Sequence, residues 1–106
     1  MDGWSLYLVR TARGALYAGI STDVERRFAE HVAGKSRAAK ALRSRAPLVL
    51  AYRVVIGDRA LAARAEHRLK RLPKSVKEDI VRDGLDAAAL LERLGLASDR
   101  RADGRG

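Results

Sequence analysis

Apolar and polar residues alternate along Trp4-Ser5-Leu6-Tyr7-Leu8-Val9-Arg10, with Trp4, Leu6 and Leu8 on one side. A period of two predicts a strand. Thr11-Ala12-Arg13-Gly14 reads as a turn, and Ala15 to Ile20 as the returning strand. A hairpin centred near Ala12 sets Tyr7 directly opposite Tyr17, on one face because side chains alternate. In that pairing Gly19 lies roughly opposite Ser5 and leaves open space beside the two phenols. The pairing depends on register, since a slip of one residue would separate the rings.

The period then changes to that of a helix. Thr22-x-x-Glu25 has the form of a capping box and predicts a helix to about Ala33, with Gly34 as its stop. Val24, Phe28 and Val32 recur at i, i+4 and i+8 and predict its buried stripe. Arg27 and His31 fall on the edge of that stripe, Arg26 and Glu30 on the far side. From Lys35 to Arg45 five basic residues alternate with Ala38, Ala39, Ala41 and Leu42, which suggests a short helix with a basic exposed side. Pro47 opens a third strand, Leu48 to Ile56, apolar enough to be central in a sheet. After Gly57, Asp58 can cap a helix from Arg59 to Leu72 whose stripe is Leu61, Ala65, Leu69 and Leu72. Glu66 sits on the edge of that stripe. A second capping box, Ser75-x-x-Glu78, predicts a helix ending at Gly84, and Asp86 starts a last one reaching about Leu94. Residues 97–106 lack periodicity and read as a disordered tail after a single domain over 1–96.

Composition narrows the partners. In 106 residues Lys and Arg outnumber Asp and Glu by 22 to 13, a formal charge of +9. Such a balance favours a polyanion, because neutralised phosphates release counterions; the alternative is a basic protein that is merely soluble. There is no cysteine, and two isolated histidines, His31 and His67, cannot build a structural zinc site. Neither a secretion signal nor an apolar run long enough for a bilayer is visible, so the expected setting is cytoplasmic, without membrane.

Two tyrosines on one face, an Arg/His pair four residues apart and a glutamate on a later helix form a constellation that resembles the GIY-YIG endonuclease superfamily. Its signature tripeptides appear in degenerate form as Ser5-Leu6-Tyr7 and Tyr17-Ala18-Gly19. The stretch Ser21 to His31 resembles the next motif, and Gly57-Asp58-Arg59 through Glu66 to Arg71-Leu72 resembles the glutamate helix. The likeness spans roughly residues 4–83 and points to the small stand-alone bacterial, YhbQ-like type. It implies an α+β fold, with helices around a three-stranded antiparallel sheet. It also implies cleavage of phosphodiester bonds in DNA with one divalent ion, Mg²⁺ or Mn²⁺, in DNA repair or processing. Carried over by position, Glu66 is the metal ligand, Arg27 the phosphate clamp, and Tyr7 and Tyr17 the proton-handling pair. His31 assists as base or by orienting a phenol, and Gly19 is a structural part of the motif.

The residue types suit that chemistry. A carboxylate is a hard oxygen ligand for Mg²⁺, which keeps several waters and needs only one or two such ligands. Arg presents a planar fork to phosphate oxygens. Tyr, with a reference pKa of about 10, needs a nearby cation before it can act as a base, and Arg27 and the metal are the candidates. Lys35, Arg37, Lys40, Arg43 and Arg45 are the candidate nucleic-acid contacts.

Each assignment has a rival. The tyrosines also fit a plain cross-strand aromatic pair, Arg27 and Glu66 a salt bridge between helices, His31 an edge histidine, and the basic run a solvated helix face; His67 reads as structural or surface. Several branches of the superfamily carry a catalytic Asn after the glutamate helix, whereas this chain contains no Asn. A monomeric nuclease is therefore weighed against a catalytically weak or inactive nucleic-acid-binding module of the same fold. A third reading is an adaptor that exposes Leu90, Leu91 and Leu94.

Overall fold

The structure, a computed structural model, describes residues 3–33 and 47–96. Strands β1 (Trp4–Arg10), β2 (Leu16–Ser21) and β3 (Val49–Gly57) form an antiparallel sheet in the order β2-β1-β3. Helix α1 (Val24–Ala33) follows the hairpin, and α2 (Arg59–Lys70), α3 (Lys74–Asp83) and α4 (Ala87–Arg93) follow β3. The fold is α+β, as the sequence predicts. The expected central place of the third strand is not observed: β1 is central and β3 is an edge, with Val49 and Val55 exposed.

The hairpin closes one step later than its sequence suggests. Thr11 N–H donates to Ala15 O and Gly14 N–H to Thr11 O, both at 2.9 Å, which makes Ala12-Arg13-Gly14 a three-residue loop. Gly14 takes φ +90°, the left-handed position such loops require. The hairpin is thereby centred on Arg13. Tyr7 faces Gly19, Tyr17 faces Val9, and Ser5 faces Ser21. The shift is by a whole pair, so Tyr7, Tyr17 and Gly19 keep one common face although the two phenols are diagonal.

Alternation divides β1 between two cores. Leu6 and Leu8 join Leu16, Tyr52, Ala65, Leu69, Ile80, Leu90, Leu91, Leu94 and Leu96 on the face covered by α2, α3 and α4. Tyr7 and Val9 join Val24, Phe28, Leu48 and Leu50 on the face covered by α1. Burial of Leu90, Leu91 and Leu94 removes the adaptor reading, which needed them exposed. A register shift between Leu8 and Val9 brings Leu50 opposite Val9.

Three expectations about helix ends and faces are corrected. Asp23, not Thr22, caps α1: its carboxylate accepts from Arg26 N–H at 3.1 Å, and its own N–H donates to Ser21 Oγ at 2.9 Å. The stripe of α1 turns through His31, 6% exposed, while Val32 is 50% exposed. Ser75 does not cap α3, which begins after Pro73 without a side-chain cap. Glu78 instead grips Arg10 through two hydrogen bonds of 2.7 and 2.8 Å and accepts from Lys74 at 2.8 Å. Those cations hold its carboxyl down at about 2. Asp58 and Asp86 cap α2 and α4 as expected, and Gly84 ends α3 at φ +59°. The Tyr52 hydroxyl donates to Leu85 O at 2.6 Å and ties the α3–α4 connection to β3.

Candidate active site

The site forms where β1, the edge strand β2, α1 and α2 approach one another. Tyr7 is 3% exposed, and its ring lies across the backbone of β2. A Cβ built on Gly19 would collide with the Tyr7 phenol. The space expected beside the tyrosines is therefore filled by the ring of Tyr7, and glycine is required for steric rather than conformational reasons. Tyr17, 37% exposed, stands on the same face two residues before Gly19.

Helix α1 brings two heads to the Tyr7 hydroxyl. Tyr7 Oη and His31 Nε2 are 3.0 Å apart, with the rings tilted at 53°. Burial first, and then the positive Arg27, push the His31 pKa below its ordinary value, and Glu30 opposes them. The ring is thus neutral near pH 7, with one nitrogen able to accept. Its Nδ1 is buried without a hydrogen-bond partner among the described residues.

Arg27 lies beside the same hydroxyl. Its Nη1 donates to Glu30 Oε1 at 3.0 Å, the main reason its guanidinium holds its proton more tightly than usual, and Tyr7 adds to the effect. Glu30 is therefore not on the far side of α1, as its position on the wheel suggested. It takes one donor of a fork that has five. Arg26 is the solvated residue, its side chain 70% exposed.

Glu66 comes from the opposite layer. Ala62 and Ala65 are fully buried, and α2 packs over β2 and β1 on side chains that small. One residue past Ala65, Glu66 emerges at the edge with its side chain 23% exposed and its carboxylate 3.2 Å from Lys70 Nζ. Its charge reaches Tyr7: burial is the largest cause raising the Tyr7 pKa above its ordinary value, Arg27 works against it, and Glu66 and Glu30 add to the rise. The lowering expected from Arg27 is thus outweighed by burial. The rival salt bridge between Arg27 and Glu66 is not formed, since each has a partner on its own helix. That Glu66-to-Lys70 pairing is legible in the sequence as an i,i+4 spacing with the acid first.

Among the described residues no three His, Cys, Asp or Glu side chains cluster to hold a metal. One exposed-edge carboxylate fits a hydrated Mg²⁺ or Mn²⁺ and does not fit an all-protein cage. Lys70, 57% exposed, is a weak competitor for it. His67 is on the surface. Lys35, Arg37, Lys40, Arg43 and Arg45 lie outside the described residues, as do Gly34 and the expected tail 97–106. No helix among the described residues is long and apolar enough to cross a membrane.

Residues 3–79 match the family model of the GIY-YIG catalytic domain. The UPF0213 protein YhbQ of Escherichia coli O9:H4 (strain HS) is 52% identical over 94 residues, which cover 89% of this chain and 92% of that protein. Proteins of the same name from Escherichia coli (strain SMS-3-5 / SECEC) and Shigella boydii serotype 18 (strain CDC 3083-94 / BS512) match with the same identity and coverage. No solved structure matches the chain.

Proposed function

The chain belongs to the GIY-YIG catalytic-domain family, and from that premise we propose that it is a divalent-metal-dependent endonuclease that hydrolyses phosphodiester bonds in DNA. The observation that carries the reading is the buried Tyr7 hydroxyl, held between His31 Nε2 at 3.0 Å and the Arg27 guanidinium, with the Glu66 charge near enough to act on it. Glu66 is the residue that would hold the ion, which when bound would neutralise charge at a phosphate oxygen and make water easier to deprotonate. Donors of Arg27 left over from Glu30 hold a second phosphate oxygen. With His31 as the Nδ1–H tautomer, the phenol donates to Nε2. Tyr7 can then accept a proton from an attacking water while passing its own to the neutral imidazole. This relay answers the raised pKa of Tyr7, because the phenol never has to exist as a free phenolate. Tyr17, more exposed on the same face, is the phenol we assign to the leaving oxygen.

The proposal extends to a cytoplasmic monomer in DNA repair or processing, for which the basic charge supports only the nucleic-acid partner. One observation favours the alternative of a binding module with little turnover: the Glu66 carboxylate already has a cationic neighbour, Lys70 Nζ at 3.2 Å, which an incoming ion must displace. The two readings separate in a panel of single-stranded, duplex and branched DNA, with RNA counterparts, incubated with Mg²⁺ or Mn²⁺. Wild type should cleave only with the cation, and Glu66→Ala should lower the rate by about 10²–10³-fold with an unchanged melting temperature. If both proteins leave every substrate equally intact, the nuclease reading is lost. Salt-sensitive binding without turnover would then mark the module.

A further inference from the structure

The outer side of α2 carries charge that the site does not use. Arg64, His67, Arg68 and Arg71 recur at i, i+3, i+4 and i+7, and all four are exposed. At about 100° per residue they lie roughly 100–160° around the helix from Glu66. Helix α4 completes a cavity of about 450 Å³ there, lined by His67, Arg68, Arg71, Leu72, Arg93 and Leu94. A depression of about 310 Å³ along Ala63, Arg64, His67 and Arg68 adjoins it. No residue lining either one is acidic.

Among the described residues no acidic side chain pairs with these charges. Arg68 is spent on structure, its Nη1 donating to Leu94 O at 2.9 Å and Gly95 O at 3.3 Å. Among the described residues Arg64, Arg71 and Arg93 have no ion pair, while Glu25, Glu30, Glu66, Glu78 and Asp79 are paired elsewhere. Like charges three or four residues apart on a helix repel, and an anion seated in the groove relieves that repulsion.

We propose that the groove between α2 and α4 is a second contact for the phosphate backbone of nucleic acid, on the far flank of α2 from Glu66. The choice of polyanion rests on the nuclease reading; the groove and its charge do not. A helix with its side chains is about 10–12 Å across, and phosphates of one strand recur about every 3.4 Å along the axis. A substrate held at both flanks therefore extends several nucleotides beyond the phosphate that is cut.

The test measures binding of a long DNA duplex by the full-length Glu66→Ala protein across a salt series, alone and with Arg71→Gln and Arg93→Gln together. A control pair, Arg13→Gln with Arg82→Gln, removes the same charge elsewhere. The groove pair should weaken binding about tenfold and reduce the slope of log affinity against log salt by about 2, with the melting temperature retained and the control pair nearly unaffected. An unchanged slope, or an equal fall in the control pair, overturns the proposal. So does loss of binding to poly-glutamate with duplex binding intact, which would assign the groove to an acidic protein. If the slope falls as expected but wild type never cleaves, the nuclease reading fails and the groove stands.

Discussion

The two faces of the β1 strand are built to different ends from alternate residues of one segment. Leu6 and Leu8 enter a layer roofed by three helices, where Leu69, Ile80, Leu90 and Leu91 are fully enclosed. Tyr7 and Val9 enter a thinner layer under α1, in which a hydroxyl, an imidazole and a guanidinium share the space with Val24 and Phe28. The first layer concentrates apolar burial, and the second trades part of it for polar side chains gathered at the Tyr7 hydroxyl. A strand permits this division because consecutive side chains leave on opposite sides.

Substitutions on either side of that division should therefore separate stability from activity. The largest effect is expected for Leu8→Ala, which leaves a cavity under the helices and should cost about 3–5 kcal/mol in chemical denaturation. Tyr7→Phe should lower cleavage by about 10² or more, near 3 kcal/mol on the barrier. It should cost only about 1 kcal/mol of stability for the lost hydroxyl bond. Equal losses of stability in the two variants would erase the distinction between the faces. Gly19→Ala inserts a methyl group where the phenol lies and should cost about 1–3 kcal/mol, with activity falling alongside because the ring must shift.

The smallest effect joins the faces to the rest of the fold. Glu78→Gln removes the grip of α3 on Arg10 and should cost about 1 kcal/mol near neutrality, since the pair is part-exposed. The carboxyl is held at about 2, below its ordinary 4.5. The native state therefore binds fewer protons than the unfolded chain between those values, and stability falls as pH drops. Melting temperatures of wild type and Glu78→Gln should converge from pH 4.5 down to about 2; a gap that stays constant would show that the ionised carboxylate is not the source.

Much of this arrangement was legible because it depends on short-range rules. Alternation in Trp4–Arg10, the aspartate caps at Asp58 and Asp86, and the stripe of Leu61, Ala65, Leu69 and Leu72 beside Glu66 each specify their element locally. The hairpin register was misread because the left-handed glycine at position 14 closes a loop of odd length, a choice the apolar pattern does not reveal. Ser75-x-x-Glu78 has the spacing of a capping box, but Arg10, distant in sequence, outcompetes a backbone N–H for the carboxylate. For the same reason an isolated helical wheel could not place His31: its burial follows from meeting Tyr7, 24 residues earlier in the chain. The strength of β3 as an apolar run was likewise no guide to its place, since Val49 and Val55 remain open to solvent at the sheet's edge.

The phenol that rests on the bare backbone at Gly19 has a dynamic consequence. Strand β2 cannot peel from β1 without releasing that ring, and the ring cannot swing out without disturbing the strand beneath it. Fraying of the outermost strand and dispersal of the groups gathered at the hydroxyl are thus a single event. The lifetime of a competent arrangement should be set by local unzipping of the sheet, which amide exchange along Leu16–Ser21 would report.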